Sequence, residues 1–381
     1  MTPVTLYAVP FSLYSAKARS YLLKNHVPFT EVSQGTPHYA EKILPKIGRM
    51  IIPVLELSDG TIIQDGAAII DHFETQGNMP CPALPATPRH KVVSQIFSLF
   101  GGEGLLRPAM HYRWNFPDTN QPFLSDQFAT FILPLMEGDA RTELTNKVMG
   151  RMQTAARGFG ANPDTAPVIE AAYEEFLAEL EAHFRAHPYL LGGRPTLGDY
   201  GLIAPLYPHL GRDPYPAQMM KDKARAVYCW TERMNRPDAA MPDFPLYGEQ
   251  LCADDAIPDT LMTLLKRVAA DYLPEVKAMV GFTNQWLVEN PVNDGDVVGG
   301  EKQIRAIGEC SFEWRGTMIS CWVMPYRIWL LQRIQDCYDA LPDKTAVDAL
   351  LAETGLSALV TARANRRVER RDNREVWGQA V

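Results

Sequence analysis

Across residues 4–73 strand and helix patterns follow one another in an order that restricts the fold more than any other feature of the chain. Val4-Thr5-Leu6-Tyr7 reads as a short strand, Pro10-Phe11-Ser12 as a junction, and 13–25 as an amphipathic helix. A second strand is expected near 29–32. Ile51-Ile52-Pro53-Val54-Leu55-Glu56-Leu57 and Thr61-Ile62-Ile63 read as two strands turning at Asp59-Gly60, and Gln64-Asp65-Gly66 opens another helix. Pro53 stands at the first residue of its apolar run, where a strand tolerates a residue that donates no backbone hydrogen bond. The order is βαβ, hairpin, helix. It places Ser12 where a strand hands over to a helix, and the unpaired N–H groups of a helix start favour negative charge. Such a surface suits an anion or a thiol.

The rest of the chain reads mostly as helix. With 381 residues it is long enough for two domains or more. The segment 76–89, with Pro80, Pro82, Pro85 and Pro88, reads as a linker. Val92, Val93, Ile96, Phe97, Leu99 and Phe100 then give one apolar face at helical spacing, interrupted by Gly101-Gly102-Glu103-Gly104. Further helices are expected over 123–160 and 167–186. Thr196 followed three residues later by Asp199 reads as a capping box opening the helix that carries Leu202, Ile203 and Leu206. Beyond 250, residues 254–290 read as helix interrupted by Pro274, and 304–324 as a β-hairpin turning at Arg315-Gly316. Residues 325–341 read as a helix with Ile328, Leu331, Ile334 and Tyr338 on one face. The run 363–374 interleaves Arg with Glu and Asp and reads as a solvated helix face.

Composition narrows the functions. A net charge of −8 argues against a general nucleic-acid surface. No apolar run approaches the roughly 20 residues that span a bilayer, and the N-terminal residues carry no signal-peptide pattern. The cysteines are scattered without a Cys-x-x-Cys pair, and those from Cys252 onward lie far from every histidine. That pattern fits neither a zinc site nor a disulfide scaffold, and no metal is expected. Free thiols in a reducing cytoplasm are the expectation.

The Ser12, Ile52-Pro53 and Asp65-Gly66 motifs resemble those of the thioredoxin-like N-terminal domain of the cytosolic glutathione transferase superfamily. Gly198-Asp199 after Pro195-Thr196, and the Trp230 to Pro237 segment, are similar to that superfamily's all-α C-terminal domain. The resemblance covers roughly 1–245. It implies a glutathione-binding α/β domain over 1–77, a helical domain over 90–248, and a mainly helical extension over 249–381 that packs on the helical domain. Glutathione would be the co-substrate. Ser12 matches the position held by Cys in omega-like and Ser in zeta-like members, which implies a hydroxyl serving the glutathione sulfur. Phe11 flanks it. Ile52 and Pro53 match a cis-proline pair that binds the cysteinyl backbone, and Asp65 with Gly66 matches an acidic-Ser pair for the γ-glutamyl end. Gly66 lacks the hydroxyl, so that bond must come from the backbone, from Gln64, or not at all. Arg49 is placed to reach the glycyl carboxylate.

A serine hydroxyl donates better to thiolate than to thiol and so lowers the thiol pKa. The helix start adds roughly 0.3–1 kcal/mol in the same direction. A serine forms no mixed disulfide, which favours conjugation, elimination or isomerisation over thiol exchange. Tyr7 is a rival sulfur ligand, or a core strand residue. Tyr14 and the cluster Met110, His111 and Trp114 are candidates for the substrate pocket, because aromatic side chains with one polar handle suit a flat apolar electrophile; the same residues also fit an ordinary helix core. Three functions stay open at this point. One is a glutathione-dependent transferase acting on a small apolar, aromatic electrophile. The second is a non-catalytic binding or assembly protein on the same scaffold. The third is a glutathione-dependent isomerase or ether-cleaving lyase. No nucleic acid or membrane partner is expected, and a homodimer is the protein partner the resemblance allows.

Overall fold

The computed structural model describes residues 3–238, 241–300 and 303–381. Its first unit has β1 (Val4–Tyr7), α1 (Leu13–Lys24), β2 (Phe29–Val32), β3 (Val54–Glu56), β4 (Ile62–Gln64) and α3 (Gly66–Glu74) in the expected order, with a short α2 (Leu44–Ile47) between β2 and β3 that the sequence reading did not include. The sheet runs β2-β1-β3-β4. β1 pairs parallel with β2 and antiparallel with β3, and β3 pairs antiparallel with β4, so β4 is an edge strand.

Helices follow: α4 (Pro88–Leu99), α5 (Leu106–Trp114), α6 (Pro117–Ile132), α7 (Gly138–Gly158), α8 (Ala166–Ala186), α9 (Leu197–Leu206), α10 (Pro214–Lys223) and α11 (Arg225–Met234). The glycine run at 101–104 does not break the helical path as expected. It forms a π-helical turn, Phe100–Gly104, between α4 and α5. Gly101 serves close approach there, because a Cβ on it would stand 2.4 Å from the Gly201 carbonyl carbon of α9. The capping box opens α9 as expected. Thr196 N–H donates to Asp199 Oδ2 at 2.9 Å, and Asp199 Oδ1 also accepts from Leu190 N–H at 3.0 Å. The helical segment expected over 123–160 holds the end of α6 and the whole of α7.

The extension contains α12 (Asp259–Asp271), α13 (Leu273–Glu289), the hairpin β5 (Gly308–Trp314) and β6 (Thr317–Val323), α14 (Pro325–Asp339), α15 (Thr345–Thr354), α16 (Ala358–Thr361), β7 (Arg366–Arg371) and β8 (Arg374–Ala380). The β5–β6 turn falls at Arg315-Gly316, both at positive φ, the pair of conformations that a two-residue hairpin turn requires. α12 packs on α8, α14 and α15 on α4, and β6 on α7. One apolar core runs without a break from Leu6 and Leu22 through Val93 and Phe97 to Leu264, Leu331 and Trp377.

The arginine-rich end is a correction to the sequence reading. Residues 366–380 are not a solvated helix but the β7–β8 hairpin, with Val368 and Trp377 buried. Two-residue alternation and the turn at Asp372-Asn373, both at positive φ, outweigh the charge pattern. Among the described residues no helix is long and apolar enough to cross a membrane.

Candidate functional site

The loop 9–12 delivers Ser12 to the start of α1. Two arginines hold that loop by its carbonyls: Arg19 Nη2 donates to Val9 O at 3.0 Å and Arg113 Nη1 to Phe11 O at 3.2 Å. Arg113 is itself held by Asp213 at 2.7 Å. Ser12 caps α1, its Oγ accepting from Ser15 N–H at 3.3 Å and from Ser15 Oγ at 2.9 Å. Its hydroxyl can rotate to donate to a negatively charged acceptor, and the side chain is only half-buried. Tyr7 is differently placed. It is buried, its hydroxyl donates to Glu56 at 2.7 Å, and burial together with that carboxylate raises its pKa, so it is a strand residue of the second small core with Tyr39 and Val54.

The Ile52–Pro53 peptide is cis. Among the described residues the main chain of Ile52 has no hydrogen-bond partner. Asp65 has φ of 100°, a strained value for a side-chain-bearing residue, and it caps α3: Oδ1 accepts from Ala67 N–H at 2.8 Å and Ala68 N–H at 3.2 Å. The departure at Gly66 has a steric counterpart. A Cβ there would stand 3.2 Å from Tyr14 O and 3.5 Å from Lys17 Cδ, so α3 begins tight against α1.

The extension reaches this pole, which sequence reasoning did not foresee. Tyr326 OH donates to Asp65 Oδ2 at 2.7 Å. Gln64 N–H donates to Asn373 Oδ1 at 2.8 Å, and Asn373 Nδ2 donates to Ile62 O at 3.1 Å. Arg370 Nη2 donates to Gln64 O at 2.9 Å and also to its Oε1. Arg49 pairs with Glu375 at 2.9 Å. The tip of the β7–β8 hairpin thereby satisfies the backbone of the edge strand β4, and an unpaired sheet edge normally needs such cover. Burial pushes the Asp65 carboxyl up, but the positive charge of Arg370, the Tyr326 bond and Lys17 outweigh it and hold it below its ordinary value. Lys17, buried beside it, is lowered by burial to about 8.

Of the residues expected at the site, Tyr14, Arg49, Ile52, Pro53, Gln64 and Asp65 meet around one cavity of about 40 Å³, together with residues of the extension. Ser12, Phe11 and Gly66 do not line it. Met110, His111 and Trp114 are buried on α5 and line none of the cavities described here. His111 Nε2 pairs with Glu170 at 2.8 Å, and burial lowers its pKa against that carboxylate's pull. Trp114 packs on Phe128, which in turn packs on Phe11 at 4.7 Å between ring centroids. A readable signal did mark the missed residues: Asp372-Asn373 between two alternating runs is hairpin-turn chemistry.

Two family matches agree with this architecture. Residues 6–80 match the family described as glutathione S-transferase, N-terminal domain, and 152–212 match glutathione S-transferase, C-terminal domain. Similar solved structures include the beta-etherase LigF from Sphingobium sp. strain SYK-6, at 17% identity and a TM-score of 0.44, covering 63% of this chain and 98% of that one. The glutathione transferase GSTFuA3 from Phanerochaete chrysosporium has 15% identity and a TM-score of 0.43, covering 61% and 96%. A glutathione S-transferase from Methylobacterium radiotolerans, in complex with glutathione sulfonate, has 17% identity and a TM-score of 0.38, covering 67% and 100%. No curated protein matches the chain.

Proposed function

The chain belongs to the glutathione transferase superfamily, and from that premise we propose that it activates the glutathione thiol at Ser12 for attack on a small apolar, aromatic electrophile. The observation that carries this is the state of Ser12. Its Oγ caps the start of α1 and bonds to Ser15, and its hydroxyl can turn to donate to a charged sulfur. A thiolate placed there gains a charge-assisted hydrogen bond and the favourable end of the α1 dipole. Ile52, with its main chain unpaired, offers N–H and C=O groups to the cysteinyl backbone. Unpaired cysteines accord with action in the cytoplasm.

The test is Ser12→Ala. Loss of a hydrogen bond to an ionised sulfur removes about 1.5–3 kcal/mol from the thiolate form, which raises the thiol pKa by about 1–2 units with little change in affinity for the whole tripeptide. Ultraviolet titration of bound glutathione reads this directly. Equal thiol pKa values in wild type and variant would remove Ser12 from the chemistry.

One observation favours a second reading, a non-catalytic binding protein. Asp65, Gln64 and Arg49, the groups available for the ends of the tripeptide, already bond to Tyr326, Asn373, Arg370 and Glu375. On the transferase reading the hairpin must leave before glutathione occupies that pole. Titration calorimetry separates the two, since glutathione that gives no heat and no thermal shift at millimolar concentration leaves only the second.

A further inference from the structure

The cavity of about 40 Å³ between the extension and the sheet is lined by three guanidinium groups, Arg49, Arg305 and Arg370, and by two carboxylates, Asp65 and Glu375. The carboxylates are spoken for. Glu375 lies 2.9 Å from Arg49 and 3.5 Å from Arg370, and Asp65 accepts from Tyr326 and from the start of α3. Arg305 stands apart. Among the described residues its guanidinium has no carboxylate within pairing distance and makes no hydrogen bond, and its Nε is buried without a partner. It lies over the rings of Tyr326 and Tyr14, at 5.1 and 6.0 Å from the centroids. Aromatic faces fix the orientation of a guanidinium but satisfy none of its N–H donors. A buried donor without an acceptor is unfavourable, and such groups in folded proteins normally mark a place where something binds.

We propose that this cavity binds a small monocarboxylate, of the size of formate or acetate, on the Arg305 fork. Charge supports it: three positive groups face two negative ones, and one monoanion closes the difference. Size supports it: at about 10–15 Å³ for each water, the volume takes about three waters, which suits a carboxylate with a short tail and not a tripeptide. Shape supports it: the guanidinium presents parallel N–H groups that match the two oxygens of a carboxylate, and Ile52 and Pro53 on the wall offer an apolar surface to a methyl group. The superfamily reading gives this pole to an ammonium group facing Asp65. The extension engages that acid and adds an arginine that Glu375 and Glu103 favour as a cation without hydrogen-bonding to it. This inference goes beyond the transferase reading and does not depend on it.

The test is thermal denaturation of the full chain at neutral pH and constant ionic strength, titrated with sodium formate and sodium acetate, with chloride and sulfate as controls. A ligand specific for the native state gives a saturable rise in Tm. Formate and acetate should give it, chloride and sulfate should not, and Arg305→Gln should raise the carboxylate Kd at least about tenfold. Should R305Q fail to fold, R305K keeps the charge and loses the fork, and its Kd must still rise several-fold. No saturable shift, an equal shift with chloride or sulfate, or a Kd unchanged in the variant that folds overturns the proposal. Glutathione binding, measured separately with S12A, bears on the transferase reading alone.

Discussion

Asn373→Gly is the sharpest probe of the contact between the hairpin and β4. Asn373 lies in the β7–β8 turn at φ of 62°, a conformation glycine adopts freely, so the turn itself survives the substitution. What disappears is the pair of side-chain bonds to the edge strand, one from Gln64 N–H and one to Ile62 O. At about 0.5–1.5 kcal/mol each, the docked hairpin loses about 1–3 kcal/mol. If glutathione binds only when the hairpin has left, its apparent affinity is reduced by the fraction of molecules in the competent state. Weakening the docked form by this amount then tightens glutathione binding by about 5- to 150-fold, up to the point where the hairpin is free in most molecules. Titration calorimetry measures the affinity, and amide hydrogen exchange over 366–380 shows whether the hairpin has loosened. Faster exchange there with unchanged or weaker glutathione binding would refute the reasoning, because the hairpin would then be no competitor for the site.

Truncation after residue 248 should give aggregated protein, since it strips α12 from α8 and α14 from α4 and removes the buried Leu261, Leu264, Leu265 and Val268 from a shared core; a monodisperse product by light scattering would count against this. Arg327→Met leaves the buried Glu103 without the guanidinium that now lies 2.8 Å from it, while Glu275 keeps Arg107, and should destabilise by about 3–5 kcal/mol in urea unfolding. A loss under about 1 kcal/mol would mean that Glu103 is neutral or otherwise solvated. His183, fully buried on α8, is lowered by burial from 6.5 to about 3, so the fold keeps it neutral while the unfolded chain takes up a proton below 6.5. Its contribution is therefore complete above about pH 6.5 and is lost as pH falls towards 3, at about 1.4 kcal/mol for each pH unit. In His183→Gln the acid limb of stability against pH should be shallower by that slope, and an unchanged limb would show that His183 protonates inside the fold.

What could be read from the sequence is what local physics encodes. The strands and helices of 4–74 follow from residue period, a proline at a strand start and an Asp-Gly turn, and each was found within a few residues of its place. The β5–β6 hairpin was legible because Arg315-Gly316 separates two alternating runs. The arginine-rich end was not, because its apolar residues are sparse and alternating charge suits a helix face and a strand edge alike. The cluster at 110–114 was ambiguous for a different reason: aromatic residues line pockets and fill cores with one and the same pattern. Burial decides, and it places Met110, His111 and Trp114 inside.

Asp65 holds both kinds of information in one side chain. Its Oδ1 caps α3 through residues two and three positions away, and that bond is written in the local sequence. Its Oδ2 accepts from Tyr326, 261 positions distant, and no local pattern specifies such a contact. The same division orders the events of ligand entry. The hairpin holds this pole by Asn373 and Arg370 at its tip, while its Val368 and Trp377 are anchored in the common core. Tyr326 sits instead in the first turn of α14, whose Ile328, Leu331 and Ile334 are buried in the common core. The tip can therefore swing off β4 while Tyr326 stays. An ammonium group arriving at Asp65 would then meet the Tyr326 hydroxyl, which can share the carboxylate oxygen, and the charge of Lys17, but no longer that of Arg370. Asn373 and Arg370 are thus the residues that set whether the pole opens, and Tyr326 sets only how firmly Asp65 holds what enters.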